Sequence, residues 1–235
     1  MVIIHGWGSS RKSWEGFLGA ISSFENIKTY FIELPGFGQT AAPSYPWNID
    51  DYANYVFEYI EKLKLRSFTI LGHSFGGGVA VKFALLHPGY AQKMILCDAA
   101  LIRQKQSFRQ KLINFSAKIG KIIFSFPLLN KLRDLARRIL YRAAGSKDYY
   151  LAKGVMRETF INALKEDLRP LLAAIKIPVL IIWGDKDDDT ALLEGRFINR
   201  NISNSRLEII KGAGHIPYKT HIKELIDLIK GFIKP

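Results

Sequence analysis

Six short apolar runs divide the chain, and patterns typical of amphipathic helices lie between most of them. The runs cover residues 2–4, 29–32, 67–71, 93–97, 178–183 and 206–210. Most are rich in Val, Ile, Leu or Phe, which is typical of strands buried on both faces of a sheet. The helical patterns cover residues 11–24, 49–64, 75–87, 190–202 and 220–232. This alternation predicts an α/β fold with a mostly parallel sheet of about six strands flanked by helices.

Residues at the predicted helix ends agree with this interpretation. Asn48 is a good N-cap for the second helix, and Asp50 and Asp51 in its first turn favour the positive end of the helix dipole. Pro88 and Gly89 follow the third helix and are expected to end it.

A long helical insertion separates the fourth run from the fifth. Residues 101–170 contain 16 Lys and Arg but only 5 Asp and Glu, a net charge of +11, whereas the whole chain carries +13. The basic charge is therefore concentrated in one internal segment. We predict a core formed by residues 1–100 and 171–235, and a separate basic unit over residues 101–170.

The basic unit contains an amphipathic stretch over residues 111–126. Lys111, Lys118 and Lys121 lie away from an apolar stripe at positions 112, 115, 119, 122, 123 and 126. Such a stripe packs on the protein while the lysines face solvent, or it docks on an anionic lipid surface or attracts anionic substrates. We expect no nucleic-acid partner, because no motif of a nucleic-acid-binding module is present.

Composition restricts the class of protein further. The single cysteine, Cys97, lies in an apolar run, so we expect a buried thiol and no internal disulfide. No apolar run reaches the roughly 18 residues of a membrane-spanning helix. The first residues lack the features of a signal peptide, which predicts a cytoplasmic protein. Metal-ligand spacings and phosphate-binding glycine loops are missing from the sequence, so we expect neither a metal nor a cofactor.

Reactive side chains follow the predicted strands directly. The segments are His5-Gly6-Trp7-Gly8, Gly72-His73-Ser74-Phe75-Gly76, Gly184-Asp185-Lys186-Asp187 and Lys211-Gly212-Ala213-Gly214-His215. Since ligands bind at the carboxyl ends of parallel strands, these segments are expected to meet in one site.

Ser74 lies between a predicted strand and a predicted helix, with glycines two residues before and after it. This context is that of a nucleophile elbow, a sharp turn that exposes the serine hydroxyl. Serine needs a base and an orienting acid, and His215 and Asp187 occur in the appropriate chain order. Asp98, at the end of the fourth strand, is an alternative acid. We expect His73 to support the site rather than react, Asp188 and Asp189 to cap a helix near Thr190, and His87 and His221 to lie on the surface.

The sequence resembles the α/β-hydrolase family over nearly its whole length. The resemblance rests on H-G-W-G at 5–8, L-P-G-F-G at 34–38, G-H-S-F-G-G at 72–77, W-G-D-K-D at 183–187 and G-A-G-H at 212–215. It implies that Ser74 is the nucleophile, His215 the general base and Asp187 the acid, and that His5 supports its loop rather than reacts. It also implies that the backbone N–H groups of Trp7 and Phe75 form the oxyanion hole, and that residues 101–170 form a cap over the pocket.

The sequence departs from the family pattern in two ways. Glu33 and Thr40 stand where members often have Asp and Ser, in a loop expected to be structural. The chain also begins at what would be the family's third strand, so we expect the fold without its usual first two strands.

The resemblance implies a serine hydrolase that cleaves carboxylic esters of small or medium apolar acyl groups. A serine nucleophile argues against the family branches that use an aspartate there. Cleavage of C–C bonds or of lysophospholipids is an alternative on the same fold. A non-catalytic ligand-binding protein is a further alternative, against which the complete Ser, His and Asp set argues. The sequence does not indicate an oligomeric state.

Overall fold

Six strands form a single sheet in which every neighbouring pair is parallel. A computed structural model of the chain describes residues 1–24, 27–103 and 152–234. The strands are β1 (Val2–Ile4), β2 (Tyr30–Ile32), β3 (Phe68–His73), β4 (Ala91–Cys97), β5 (Val179–Gly184) and β6 (Ser205–Ile210). Their order across the sheet is β2-β1-β3-β4-β5-β6. The predicted fold class and all six predicted strands are confirmed.

Helices connect and cover the strands. In the described ranges they are α1 (Glu15–Ser22), α2 (Ile49–Lys62), α3 (Phe75–Leu86), α4 (Val155–Lys165), α5 (Leu192–Asn201), α6 (Pro217–Thr220) and α7 (Ile222–Ile233). Two 3-10 helices, Arg11–Trp14 and Arg169–Ala174, lie before α1 and after α4. The helix predicted over 11–24 is thus a 3-10 turn followed by a short α-helix.

Helix α2 begins as predicted. The side chain of Asn48 accepts a hydrogen bond from the N–H of Asp51, and the Asp51 carboxylate accepts one from the N–H of Asn48. This reciprocal pair satisfies two N–H groups at the helix start and fixes the first residue of α2.

The sheet separates two hydrophobic cores. Alternate strand residues face opposite sides, so Ile4 and Ile70 contribute to one core while Ile3 and Leu71 contribute to the other. Helices α2, α3 and α5 cover the first core, and α1 and α7 cover the second. Cys97 is a buried free thiol in the second core, as predicted.

The strand register brings the carboxyl ends of the strands to one edge. Ile4 pairs with Ile32 and Gly72, His73 pairs with Cys97, and Gly184 pairs with Ile210. The loops that carry the predicted site residues therefore leave the sheet side by side.

The amphipathic stretch 111–126, with Lys111, Lys118 and Lys121, lies outside the described residues. The described end of the basic unit packs on the core through α4 and the residues that follow it. The hydroxyl oxygen of Thr159 accepts the N–H of Trp47, and Glu166 accepts the N–H of Ile49. None of the helices in the described ranges combines the length and the apolar character needed to cross a lipid bilayer.

Candidate active site

Ser74 occupies a strained turn between β3 and α3. Its backbone has φ 51° and ψ −120°, a conformation that non-glycine residues rarely adopt. Three hydrogen bonds keep it there. The N–H of Ser74 donates to the carbonyl of Cys97, and its own carbonyl accepts from the N–H groups of Gly77 and Ala100. Because the main chain is fixed from both sides, the hydroxyl is held at the edge of the sheet.

The glycines on either side of Ser74 are there for steric reasons. A Cβ on Gly72 would lie 2.3 Å from the carbonyl oxygen of Gly76, and one on Gly76 would lie 2.4 Å from that of Ile4. These contacts are with backbone atoms, which cannot move aside. The elbow therefore excludes larger residues at both positions.

The structure brings Ser74, His215 and Asp187 into a continuous hydrogen-bonded chain. Nε2 of His215 lies 2.9 Å from Oγ of Ser74, and Nδ1 of the same ring lies 2.8 Å from Oδ2 of Asp187. A carboxylate accepts hydrogen bonds, so Nδ1 carries the proton and Nε2 is free to accept one from the serine hydroxyl. The loops after β3, β5 and β6 supply these three residues.

The Asp187 carboxylate is buried and receives four donors from described residues. Oδ1 accepts the N–H groups of Asp189 and Thr190, and Oδ2 accepts the Thr190 hydroxyl and Nδ1–H of His215. Burial alone raises the pKa of Asp187, but the hydrogen bonds from His215 and Thr190 outweigh it and lower the pKa to about 2. The group is therefore an anion at neutral pH.

The charge on Asp187 affects His215 in turn. Burial lowers the pKa of His215, and its hydrogen bond to Asp187 together with the negative charges of Asp187, Asp189 and Asp98 raises it above its ordinary value of 6.5. The net effect is that the pKa of His215 is raised. A base with this pKa accepts a proton readily near neutral pH.

Asp98, the alternative acid, lies at the end of β4 and is completely buried. Its Oδ1 accepts the N–H of Gly184, and Cys97 Sγ lies 3.4 Å from its Oδ2. Burial and, less strongly, the charge of Asp187 raise the pKa of Asp98 to about 7. The carboxylate in hydrogen-bond contact with His215 is that of Asp187.

Trp7 and Phe75 lie beside the serine. A Cβ on Gly6 would lie 3.0 Å from Cβ of Ser74, so the loop after β1 passes close to the nucleophile position. The rings of Trp7 and Phe75 meet edge to face, with centroids 5.3 Å apart. Within the described ranges, neither of their backbone N–H groups donates to a protein acceptor.

Two buried histidines connect the loops around the site, in agreement with the supporting role predicted for them. His5 donates from Nδ1 to the carbonyl of Gly6 and accepts the N–H of Leu34 at Nε2. Nε2 of His73 donates to the carbonyl of His215 over 2.7 Å. Burial, followed by the nearby His215, lowers the pKa of His73 to about 3, so that ring stays neutral.

The remaining predicted histidines lie away from the site. His87 is partly buried, and its ring stacks on that of Phe57 with centroids 3.9 Å apart. Nε2 of His87 forms a hydrogen bond with the side-chain oxygen of Asn54. His221 is partly buried before α7 and bonds the hydroxyl of Thr220.

The residues after Asp187 differ from their prediction. Helix α5 begins at Leu192, its N-cap residue is Ala191, and no side chain caps it. The prediction that Asp188 and Asp189 cap a helix near Thr190 is therefore wrong. The N–H groups of Asp189 and Thr190 bond Asp187 instead, which holds these residues in a turn. Sequence reasoning also missed the contact of the Thr190 hydroxyl with Asp187, for which the spacing D-x-x-T was the available signal.

Asp187, Asp189 and His215 have potential metal-ligand atoms within 4.8 Å of one another. Two of these groups already bond each other, since Nδ1 of His215 donates to Asp187. A cation there would compete with that hydrogen bond, so we assign no metal to this group.

A family model described as alpha/beta hydrolase fold matches residues 1–222. The chain belongs to the α/β-hydrolase fold family. The serine turn lies at the carboxyl end of β3, between a strand and a helix, as in the nucleophile elbow of this family.

Similar proteins include enzymes named as esterases. A pimeloyl-[acyl-carrier protein] methyl ester esterase of Neisseria meningitidis is 26% identical over 243 residues, which cover 99% of this chain and 92% of that protein. An uncharacterized protein of Mycobacterium tuberculosis is 26% identical over 258 residues, covering 99% and 74% of the two chains. The structure of a bromoperoxidase from Bacillus anthracis has a TM-score of 0.75 at 24% identity, covering 100% and 91%, and shows the fold.

Five aromatic residues, Trp7, Phe37, Tyr52, Phe75 and Phe160, form a continuous aromatic cluster in this α/β-hydrolase. The ring of Trp7 lies 4.8 Å from that of Phe37 and 4.8 Å from that of Phe160 on α4. Tyr52 packs against Phe75 with centroids 5.2 Å apart. Tyr52, Phe37 and Phe75 belong to the hydrophobic core, and Trp7 and Phe160 are the partly exposed members of this cluster.

Proposed function

We propose that the protein hydrolyses carboxylic esters by a Ser-His-Asp triad and an acyl-enzyme intermediate. The continuous chain of hydrogen bonds from Ser74 Oγ through His215 to Asp187 is the observation that carries this proposal. The family and the relative named as a methyl ester esterase support the same reaction class.

In this mechanism His215 Nε2 removes the hydroxyl proton of Ser74 as Oγ attacks the ester carbonyl carbon. The charge of Asp187 stabilises the imidazolium that forms and keeps the ring in its orientation. His215 then returns the proton to the departing alkoxide, and the acyl group stays on Oγ. A water molecule, deprotonated by the same ring, releases the acid and restores Ser74.

The backbone N–H groups of Phe75 and Trp7 form the oxyanion hole in this proposal. Both groups lack a protein acceptor among the described residues, and both residues border Ser74. Donors held ready in this way typically lower such a barrier by about 3 kcal/mol each, because they need no rearrangement as charge develops.

The partly exposed rings of Trp7 and Phe160, which belong to the aromatic cluster, support an apolar acyl group of small or medium size. Hydrolysis of C–C bonds or lysophospholipids would use the same triad with a different pocket. We propose residues 1–100 and 171–235 as the core and residues 101–170 as the cap, which would supply the rest of the pocket. Contact of the basic cap with anionic lipid is part of this proposal.

Labelling with a fluorophosphonate probe tests the nucleophile. Ser74→Ala should abolish labelling, whereas Ser23→Ala, an exposed serine distant in sequence from the elbow, should label like the unaltered protein. A series of p-nitrophenyl esters of increasing chain length then measures acyl preference. Normal labelling of a folded Ser74→Ala variant would overturn the proposal. Labelling without turnover of any ester would favour one of the other bond types.

A further inference from the structure

Thr190 is nearly completely buried in the turn between Asp187 and α5. Its main chain is fixed independently of its side chain. The N–H donates to Asp187 Oδ1, and the carbonyl accepts Nε1–H of Trp183 over 3.0 Å. A substitution that changes only the side chain therefore leaves both anchors of this residue in place.

The Thr190 hydroxyl has one proton, and two potential acceptors and the Nδ1–H group of His215 lie near it. Oδ2 of Asp187 lies 2.7 Å away, the carbonyl oxygen of Asp98 lies 3.4 Å away, and Nδ1 of His215 lies 3.5 Å away. The shortest contact is also the one to a charged acceptor, so the proton points to Asp187.

This bond completes the coordination of the Asp187 carboxylate. A carboxylate offers about four lone-pair sites. Two main-chain N–H groups occupy Oδ1, and the Thr190 hydroxyl and His215 occupy Oδ2. With every site filled, rotation of the carboxylate would break several hydrogen bonds at once.

We propose that the Thr190 hydroxyl is a positioning group, which holds Oδ2 of Asp187 so that its remaining lone pair faces Nδ1–H of His215. Thr190 acts through Asp187 and does not contact the reacting atoms. The proposal rests on the proposed triad, since orientation of Asp187 affects turnover only if His215 is the base.

The hydroxyl also affects the balance of charge at His215. The other groups that act on this ring are Asp187, Asp98, Asp189 and His73. Without the hydroxyl, Asp187 has one donor fewer, and its charge interacts more strongly with the imidazolium. The pH at which His215 loses its proton is then expected to rise.

The test compares Thr190→Val with Thr190→Ser. Valine has the shape of threonine without a donor, and serine keeps the donor without the methyl group. We expect Thr190→Val to lower kcat roughly 10- to 100-fold, the rate equivalent of one hydrogen bond to a charged group, with KM nearly unchanged. We expect the acidic limb of the plot of kcat/KM against pH to shift to higher pH by roughly one unit. Thr190→Ser should retain most of kcat, and the acidic limb of its pH profile should stay where it is in the unaltered protein.

Ser205→Ala is the matched control for loss of a hydroxyl. Ser205 lies at the start of β6, and its hydroxyl bonds the carbonyl of Ile202 at the end of α5. This variant should lose stability without a change in the pH profile. If Thr190→Val does not fold, Thr190→Cys takes its place, because a thiol of similar size is a weaker donor.

An unchanged kcat and pH limb in folded Thr190→Val would overturn the proposal. So would equal losses in the valine and serine variants, since the methyl group would then be what matters. Failure of the triad itself is distinguishable, because Ser74→Ala would then still label with the fluorophosphonate.

Discussion

Replacing Asp98 by Asn should stabilise the protein at alkaline pH. Asp98 is fully buried, and its carboxyl group receives one N–H from Gly184 and a weak contact from Cys97. That is little compensation for a buried charge. In Asp98→Asn the amide oxygen still accepts the Gly184 N–H, and the group carries no charge at any pH.

The magnitude follows from the raised pKa of Asp98. The carboxyl has a pKa of about 7 in the folded protein and an ordinary value of 3.8. The folded state therefore holds a proton that the unfolded state releases, so stability falls as pH rises through this window. A rise of about three pH units at about 1.4 kcal/mol per unit gives a full effect of about 4 kcal/mol. Between pH 5 and pH 8 the advantage of the asparagine variant should grow by about 2–3 kcal/mol.

Urea unfolding followed by tryptophan fluorescence measures this effect at both pH values. The free energies of the unaltered and variant proteins are compared at each pH, so that titrations common to both cancel. Asp98→Ala serves as a control, because it removes the charge together with the acceptor for Gly184. A difference between Asp98→Asn and the unaltered protein that is equal at pH 5 and pH 8, or larger at pH 5, would refute the reasoning.

Three further predictions concern the site and the fold. Asp187→Asn should lower ester turnover by roughly 10⁴-fold, as loss of the orienting acid does in serine proteases, whereas Asp98→Asn should keep most of the activity. Steady-state kinetics of the two folded variants test this, and a larger loss in Asp98→Asn than in Asp187→Asn would show that Asp98 is the acid. The pKa of His215 is raised, and His215 must be neutral to act as the base, so kcat/KM should fall as pH is lowered, with a midpoint above pH 6.5. A midpoint below pH 6.5 in the measured pH profile would contradict the assignment of His215 as the base. The side chain of Lys93 donates to the carbonyls of Phe232, Ile233 and Lys234 at the end of α7. Lys93→Met should therefore reduce the free energy of unfolding by about 1 kcal/mol. Lys62→Met, which removes an exposed lysine at the end of α2, is the control.

Most of the fold could be predicted because buried parallel strands appear as short apolar runs. The runs at 67–71 and 93–97 became β3 and β4 with small changes at their ends. Ser74 and His215 could be proposed for a similar reason. The loop that follows such a run leaves the sheet at its carboxyl edge, so the reactive side chains in these loops are expected there.

Other features depend on distances that a linear pattern does not contain. The start of α5 shifts to Leu192 because Asp187 binds the main chain of the two residues before Ala191. The role proposed for Thr190 depends on a contact between side chains in a turn. The raised pKa of Asp98 arises because β5 and its following loop enclose a carboxylate that the sequence shows only as the end of a strand.

The sheet order also has a consequence for biosynthesis. Strand β4 pairs with β3 on one side and with β5 on the other, but β5 begins only at Val179, after the 81 residues from 98 to 178. At roughly 5–20 residues per second, a ribosome takes roughly 4–16 s to make them. For that time a nascent chain presents one apolar edge of β4 with unpaired backbone groups, which favours pairing with other chains. Slower synthesis at low temperature lengthens this exposure, so a chaperone that binds extended apolar segments should improve the yield of folded protein more than cooling does.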